Sequence, residues 1–201
     1  DDFKRWFVGL VASLMNDHVV NHQCFVLLGD QGKFKTTFLN SIVPEELKLD
    51  YLFSEPFQFT NKDHTKYLGM KILIQLDELS SYNKTDITEL KTVITQDRVV
   101  VRFPYAAFDT RLWRCASFAG NANNDQFLTD ETGNRRFLVH KIRSINFKPF
   151  EVAKMYAEAF TLWKEGLQYW FDQEDIVSIN EHNQQFFNTS IEEELITEWI
   201  S

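Results

Sequence analysis

The chain has 201 residues, 44% of them hydrophobic and thirty of them aromatic (19 Phe, 6 Tyr and 5 Trp), which is enough apolar material for one folded domain. This composition excludes a disordered chain, and no apolar run approaches the roughly 18 residues of a membrane span. The net charge of −8 argues against a protein held to nucleic acid or membrane by bulk positive charge.

The charge is unevenly distributed along the chain. Residues 165–201 hold nine Asp or Glu and no Lys or Arg, whereas residues 98–143 hold seven Arg and one Lys against four acidic residues, a local balance of +4. We therefore expect any contact with a polyanion in residues 98–143. The cysteines, Cys24 and Cys115, lie in apolar runs, which predicts buried thiols in a reducing compartment. The start, DDFKRW, lacks an initiator Met and a signal peptide, which we interpret as a piece of a longer protein.

Strand and helix patterns alternate along the first half of the chain. In chain order they predict an amphipathic helix over 3–15, a strand over 24–28, a helix over 36–43, a strand over 72–76 and a helix over 86–95. The run over 72–76, ILIQL, is apolar except for Gln75 and ends at two acidic residues, as is typical of a central strand buried on both faces.

The second half continues with strands and closes with helices. The predicted elements are strands over 99–103, 112–119 and 136–142, then helices over roughly 150–171 and 181–200. Strands alternating with helices predict an α/β fold with a central parallel sheet flanked by helices, a β-hairpin insertion and a helical C-terminal segment. We divide the chain into a core over 1–148, with its N-terminal helix, and acidic C-terminal helices over 149–201.

The strongest motif lies between the first predicted strand and the helix after it. Residues 29–37, GDQGKFKTT, match G-x-x-x-x-G-K-[ST] at every fixed position but one, where Phe34 replaces the second glycine. In such a loop backbone N–H groups at a helix start bind phosphate oxygens, a lysine neutralises charge and a hydroxyl binds Mg²⁺. Lys35 and Thr36 take the last two roles. The candidate nucleotide-binding residues are Gly29, Asp30, Gln31, Gly32, Lys33, Phe34, Lys35, Thr36 and Thr37.

Phe34 leaves two outcomes open. Its Cβ can obstruct the tight loop or force a disfavoured dihedral that costs roughly 1 to 3 kcal/mol, which would weaken nucleotide binding. Equally, the ring can lie outward while Gly32 supplies the flexibility that the loop needs.

Polar residues follow two of the predicted strands. Phosphoryl transfer to water needs a metal, a group that positions the water and positive charge at the transition state. Asp77 is placed to hold Mg²⁺ and Glu78 to orient and deprotonate the water, although a helix N-terminus also favours such an acidic pair. In the segment GNANN, Asn123 is the main candidate for sensing the γ-phosphate and Asn121 a lesser one, although turns also favour these residue types.

Arg135 and Arg136 stand where a turn enters the last predicted strand, and period-two alternation sends them to opposite faces. One is a candidate arginine finger, which reaches a neighbouring subunit's γ-phosphate and raises the rate by about 10³ to 10⁵ in GTPases. The alternative is a pair of solvated or ion-paired surface arginines.

These segments together resemble a known family. The stretches GDQGKFKTTFL, ILIQLDEL, RFPYA and FAGNANNDQFLTDETGNRRF are similar to the virulence-associated protein E family over roughly residues 20–142. That family groups with P-loop ATPases of the superfamily III helicase and AAA+ kind. The resemblance implies an ATP- and Mg²⁺-dependent replication protein, forming a homo-oligomeric ring, in the cytoplasm of a bacterial or phage-infected cell.

Carried over by position, the resemblance assigns roles to residues of this chain. Lys35 and Thr36 become the Walker A pair, Asp77 and Glu78 the Walker B pair, Asn123 the sensor, and Arg135 or Arg136 the finger. Phe34 departs from the family's glycine, which puts tight ATP binding and turnover in doubt but leaves the fold untouched.

The resemblance also implies a DNA-binding hairpin, since superfamily III helicases place one before the sensor strand to grip a single strand. Residues 98–114 occupy that place, and the candidate DNA-binding residues are Arg98, Arg102, Tyr105 and Arg111, with Arg114, Phe103 and Phe108 as further charge and stacking groups. The alternative is a structural hairpin with solvated arginines and core aromatics.

Three functions therefore compete. The first is an ATP-driven motor on DNA in a phage, plasmid or mobile-element context. The second is a nucleotide-gated assembly or initiation factor that does not unwind DNA. The third is a degenerate P-loop interaction module in which Phe34 fills the phosphate cradle.

Overall fold

A computed structural model describes residues 1–128, 133–146, 150–187 and Trp199. Its strands are β1 (Cys24–Leu28), β2 (Leu52–Phe53), β3 (Leu73–Leu76), β4 (Arg98–Val101), β5 (Thr110–Trp113), β6 (Ser117–Ala122) and β7 (Phe137–Lys141). Its helices are α1 (Asp2–Met15), α2 (Lys35–Ser41), α3 (Lys48–Tyr51), α4 (Lys62–Tyr67), α5 (Lys84–Thr95), α6 (Val152–Lys164) and α7 (Gln173–Asn183).

Five parallel strands form the central sheet of the described chain, in the order β2-β3-β6-β1-β7. Because β6 lies between β1 and β3, the chain leaving β6 emerges between the loop after β1 and the segment after β3. In parallel α/β sheets ligands bind beyond the carboxyl ends of the strands, where neighbouring connections diverge. The topology thus brings three polar segments of the sequence to one edge of the sheet.

Alternate residues of the strands supply two hydrophobic layers. One sheet face, which includes Val26, Ile74 and Phe118, packs with α5 and the β4–β5 hairpin. The other face, which includes Phe25 and Leu73, packs with α1, α2 and α6. Both faces are buried because helices cover them, so a central strand such as β1 is apolar throughout rather than alternating. The predicted α/β fold with a parallel sheet and an inserted hairpin is confirmed.

One predicted strand is wrong in its extent. Residues 112–119 do not form a single strand, because the chain leaves the hairpin after Trp113 and enters the sheet at Ser117. Arg114 lies at the break, where its guanidinium donates to the backbone oxygens of Gln96 (2.8 Å) and Ala116 (2.6 Å). It also donates to those of Asn21 (2.8 Å) and Ile94 (2.7 Å). These bonds divert the chain from one sheet to the other.

The C-terminal helices also differ from the prediction. Helix α6 ends at Lys164, just before Gly166, whose φ of 85° suits glycine. Helix α7 begins at Gln173, earlier than predicted, because the Asp172 side chain accepts hydrogen bonds from two backbone N–H groups and forms a capping box. Residues 188–198 and 200 of the second predicted helix lie outside the described residues.

Both C-terminal helices pack on the core. Helix α6 packs against α1, and Arg5 of α1 forms an ion pair of 2.6 Å with Asp175 of α7. That ion pair holds the pKa of Asp175 at about 2, below its ordinary value. Among the described residues, no helix has the length and hydrophobicity needed to span a membrane.

The two cysteines are free thiols, Cys24 buried and Cys115 partly buried. Burial raises the pKa of both. The prediction of buried thiols is confirmed for Cys24, and it holds in part for Cys115.

Candidate functional site

The loop between β1 and α2 ends at Phe34, which replaces the second glycine of the predicted motif. Phe34 has a φ of 62° and a ψ of 22°, the left-handed conformation that glycine adopts freely, and it precedes the first residue of α2. Its side chain is 57% exposed, so the ring lies outward rather than in the core. The left-handed conformation costs a non-glycine residue about 1–2 kcal/mol. The loop therefore stores strain at Phe34.

Two glycines fit the loop for different reasons. A Cβ at Gly29 would lie 2.7 Å from the backbone oxygen of Ile142, so the loop approaches the end of β7 too closely for a side chain. Gly32 has open space around it but a φ of 78°, so backbone conformation favours glycine there.

Lys35 is buried at the start of α2, where three acceptors surround its ammonium group. Nζ donates to the backbone oxygens of Gly29 (2.6 Å) and Asp30 (2.8 Å) and to Oδ1 of Asn123 (2.7 Å). The pKa of Lys35 lies below its ordinary value, because burial lowers it by more than the nearby carboxylates, Glu78 first, raise it. The three protons of the ammonium group are thus all used, and its position under the loop is fixed.

Thr36, Asp77 and Asn121 meet beside this lysine. Asn121 Nδ2 donates to Asp77 Oδ1 (2.7 Å) and to Thr36 Oγ1 (3.0 Å), and Thr36 Oγ1 lies 3.3 Å from Asp77 Oδ1. A hydroxyl and a carboxylate are the hard oxygen donors that Mg²⁺ prefers, and this metal commonly binds through one or two carboxylates plus substrate phosphates. Thr36 and Asp77 therefore fit a Mg²⁺ ion that a nucleotide brings with it.

Glu78 is held by two donors. Ser80 Oγ donates to its Oε1 (2.5 Å), and Asn123 Nδ2 donates to its Oε2. The backbone N–H of Glu78 donates to Asn121 Oδ1 (3.3 Å). With a φ of 51°, Glu78 is also in the left-handed region, a strained conformation that often occurs at functional sites. Neighbouring strand ends thus fix both the backbone and the carboxylate of Glu78.

These groups line one cleft of about 300 Å³ at the carboxyl edge of the sheet. Its lining residues are Gln31, Gly32, Lys33, Phe34, Lys35, Thr36, Thr37, Asp77, Glu78, Asn121 and Asn123. Gly29 and Asp30 contribute backbone oxygens to Lys35 instead. In the part of the chain that the structure describes, no group of three or more His, Cys, Asp or Glu side chains is placed to hold a metal ion.

The structure adds two residues to the hydrogen bonds of the cleft: Asn121, for which the sequence predicted a lesser role, and Ser80, for which it predicted none. Asn121 is 2% exposed and contacts both Thr36 and Asp77, so it holds the centre of the cleft. The signal was its spacing: residues two apart on a strand share a face, so Asn121 had to accompany Asn123. No sequence signal marked Ser80, because its role depends on the turn after Asp77.

Arg135 and Arg136 lie at the other end of the sheet. Both fall in a 3-10 turn (Asn134–Arg136) before β7, whose first residue, Phe137, pairs with Cys24 at the start of β1. Arg135 is exposed, while Arg136 is partly buried and its Nη1 donates to Gly133 O (3.3 Å). Burial and then Arg135 lower the pKa of Arg136. Neither arginine lines the cleft of its own chain, so the finger stays a prediction about a neighbouring subunit.

The β4–β5 hairpin has one apolar and one charged face. Val99 and Leu112 pair on the face that packs into the core. The other face carries Arg98, opposite Trp113, and Arg111, opposite Val100. The guanidinium of Arg98 lies 4.8 Å from the ring centroid of Trp113. The apolar face therefore anchors the hairpin to the core, and Arg98 and Arg111 project from the opposite face.

The hairpin tip and base differ in exposure. Arg102, Tyr105 and Phe108 are exposed at the tip, whereas Phe103 is partly buried against the core. Arg114, expected as a further DNA contact, is 1% exposed, and its donors bind backbone oxygens. The expectation for Arg114 is therefore wrong.

Comparisons with known proteins agree with this description. The chain matches the virulence-associated protein E-like domain over residues 2–188. Two solved apo structures of the NrS-1 C-terminal region are similar in fold, each with a TM-score of 0.50, at 17% and 18% identity. They align with 98% and 100% of this chain but with only 46% and 47% of their own, so the chain spans about half of their length. A search of curated proteins finds no match.

The domain match covers both the cleft and the hairpin, and the structural similarity extends over the whole sheet. At such low identity the structural similarity supports the fold alone. The residues that match the family, together with the parallel sheet, establish that the chain belongs to the virulence-associated protein E-like domain family.

Proposed function

We propose that this chain is the ATP-binding and ATP-hydrolysing domain of a replication-type helicase that acts on DNA in a phage, plasmid or mobile-element context. One observation carries the proposal: Lys35, Thr36, Asp77, Glu78 and Asn123 converge in one cleft through mutual hydrogen bonds. Phosphate chemistry requires a cation, a metal-binding pair and a carboxylate base within reach of one another.

The residues of the cleft divide the work of binding. The N–H groups at the start of α2 and the Lys35 ammonium face the position where the β- and γ-phosphates are expected. Thr36 and Asp77 would hold Mg²⁺, which when bound spreads the charge of the phosphates. Asn121 orients both residues, since its amide donates to an oxygen of each. Lys35 exchanges a protein acceptor for a phosphate oxygen when the nucleotide enters.

Glu78 and Asn123 serve the chemical step. Glu78 accepts a proton from the attacking water, and the donors Ser80 and Asn123 hold its carboxylate in place. Asn123 also accepts from Lys35, so it links the phosphate-binding lysine to the base. This link lets Asn123 report the presence of a γ-phosphate to Glu78.

The remaining charge is expected from a second subunit. Arg135 and Arg136 lie at the far end of their own sheet, so either can serve as a finger only for a neighbour in a ring. The hairpin, with Arg98, Arg102, Arg111 and Tyr105, supplies cations and an aromatic ring for single-stranded DNA.

A second candidate function is a nucleotide-gated assembly or initiation factor that does not unwind DNA. The strain at Phe34 favours it, since a strained loop weakens nucleotide binding without removing the Asp77–Glu78 pair. The third candidate, a degenerate module, needs the Phe34 ring to fill the cradle. The exposure of that ring favours an open cleft instead.

Isothermal titration with ATP and Mg²⁺ tests the proposal. We expect binding that Lys35→Ala abolishes and that Phe34→Gly tightens. Binding by Phe34→Gly alone would mean that the natural loop is closed and would favour the degenerate module. DNA-stimulated hydrolysis separates the motor from the assembly factor, whose turnover DNA leaves unchanged.

A further inference from the structure

Two amide side chains with buried, unpartnered atoms lie one level below the proposed metal-binding pair. Gln75, in the middle of β3, is 0% exposed, and neither Oε1 nor Nε2 has a hydrogen-bond partner among the described residues. Oδ1 of Asn40, on α2, is likewise buried without a partner there. A buried amide atom without a partner destabilises the fold, so each calls for a physical reason.

Backbone periodicity sets these amides on facing surfaces. Asn40 follows Thr36 by four residues, so it lies one turn farther along the same face of α2. Gln75 precedes Asp77 by two residues, so it lies on the same face of β3. Since Thr36 and Asp77 are 3.3 Å apart, the same two elements present Asn40 and Gln75 at the next level.

The neighbouring strand leaves room for this second level. Gln75 pairs in register with Ala119 of β6, and the methyl group of Ala119 is the smallest side chain available on that face. Helix α2 packs over both β3 and β6. The Gln75 amide therefore has space between β3 and α2. On α2, Asn40 Oδ1 is an acceptor without a donor, as Gln75 Nε2 is a donor without an acceptor.

We propose that Asn40 and Gln75 are positioning residues for the metal site, with a polar contact between their amides that seats α2 on β3 when a metal–nucleotide complex binds. This rests on the proposed function, because the ligand is ATP with Mg²⁺. The contact satisfies Gln75 Nε2 and Asn40 Oδ1 together and sets the separation of Thr36 Oγ1 and Asp77 Oδ1. Gln75 and Asn40 touch neither the metal nor the nucleotide; they act through α2 and β3.

The test measures Mg²⁺ dependence of ATP binding by titration in wild-type protein, Gln75→Met and Asn40→Ala. Residues that orient metal ligands commonly change metal affinity by about 10- to 100-fold. We expect each variant to need about 10-fold more Mg²⁺ for half-maximal binding, while binding of ATP in EDTA stays unchanged. The double variant should resemble the single ones, since both remove one contact.

Leu73→Met is the matched control, because Leu73 is buried on the same face of β3, one pleat before Gln75. It should leave the Mg²⁺ dependence unchanged. Thermal melting of the ligand-free protein distinguishes a role at the metal site from a role in packing. If Gln75 only positions the metal site, Gln75→Met should not lower Tm, because it replaces an unpartnered amide with an apolar side chain. If Gln75→Met fails to fold, Asn40→Ala still tests the proposal, because Asn40 is only partly buried and its replacement should disturb the core less.

Two outcomes would overturn the proposal, and they are distinguishable. If wild-type protein binds ATP·Mg²⁺ and both variants keep its Mg²⁺ dependence, the amides have no role at the metal site. If wild-type protein and Lys35→Ala are alike in failing to bind, the proposed function fails and the contact fails with it.

Discussion

The cleft and the β4–β5 hairpin differ in how many hydrogen bonds fix their polar side chains. In the cleft each functional group holds another, as Asn123 holds both Lys35 and Glu78. On the hairpin Arg102 and Arg111 are exposed, and the one hydrogen bond described for their side chains is a long one of 3.4 Å from Arg102 Nε to Ala106 O.

This difference matches two kinds of task. Fixed donors and acceptors suit a reaction in which charge develops at one known place, because they need no rearrangement at the transition state. Exposed cations with few fixed partners suit non-specific binding of a nucleic-acid backbone, because they can contact its phosphates at many different positions. We therefore expect substitutions in the cleft to affect turnover and substitutions on the hairpin to affect salt-dependent affinity.

The largest expected effect is on turnover. Glu78→Gln keeps the shape of the side chain but removes the base; the amide oxygen can still accept from Asn123, while the amide NH2 donates to the Ser80 hydroxyl. Positioned bases contribute about 10²- to 10⁴-fold, so we expect ATPase activity to fall by at least about 100-fold while ATP binding is retained. A phosphate-release assay and a titration measure the two. Activity equal to wild type would remove Glu78 from the mechanism.

A second effect separates two arginines that lie three residues apart. Arg114→Met removes the donor from four backbone oxygens, three of them in buried hydrogen bonds, and unsatisfied buried groups cost about 1–3 kcal/mol each. Relaxation recovers part of this, so we expect a loss of about 3 kcal/mol in the free energy of unfolding. The matched variant Arg111→Met, on the exposed face, should stay within about 0.5 kcal/mol. Denaturant unfolding measures both. Equal effects would refute the structural role of Arg114.

The contrast between Arg111 and Arg114 shows what the sequence could not predict, namely which arginine is buried. The strand before Gly29, the acidic strand end and the parallel sheet followed from local patterns, and the structure confirms them. Local patterns could not separate Arg114 from Arg111, because burial depends on which distant carbonyls surround a guanidinium. Asn21 and Ile94 supply two of these, from segments 93 and 20 residues away.

Short elements escaped prediction for a similar reason. β2 has two residues and α3 has four, too few for a periodic signal, and both are stabilised by their neighbours in the fold. Phe34 was a different case: the sequence identified the position but left the ring's direction open. The backbone answers it, because a left-handed φ at Phe34 keeps the loop's shape and turns the ring outward.

A smaller effect concerns strain, and the hairpin offers a control for it. Phe34 and Tyr105 are both exposed residues with nearly the same left-handed φ, 62° and 63°. Glycine at either position relieves about 1–2 kcal/mol and costs about 0.5–1 kcal/mol in backbone entropy. We therefore expect Phe34→Gly and Tyr105→Gly each to stabilise the protein by about 0.5–1 kcal/mol in denaturant unfolding. Only Phe34→Gly should tighten ATP binding; a similar change in Tyr105→Gly would show that the effect is not local to the loop.

The smallest effect tests the hairpin as a polyanion contact. Each phosphate contact contributes about 0.7 to the slope of log K against log salt for single strands. Removing Arg111 should therefore lower the slope by about that amount, and removing Arg98 as well should lower it further. Lys154, exposed on α6, provides a control of equal charge whose loss should leave the slope unchanged. Fluorescence anisotropy with a labelled oligonucleotide, at several salt concentrations, gives these slopes. If Lys154→Met and Arg111→Met reduce the slope equally, the protein responds to its total charge and the hairpin has no special part in holding DNA.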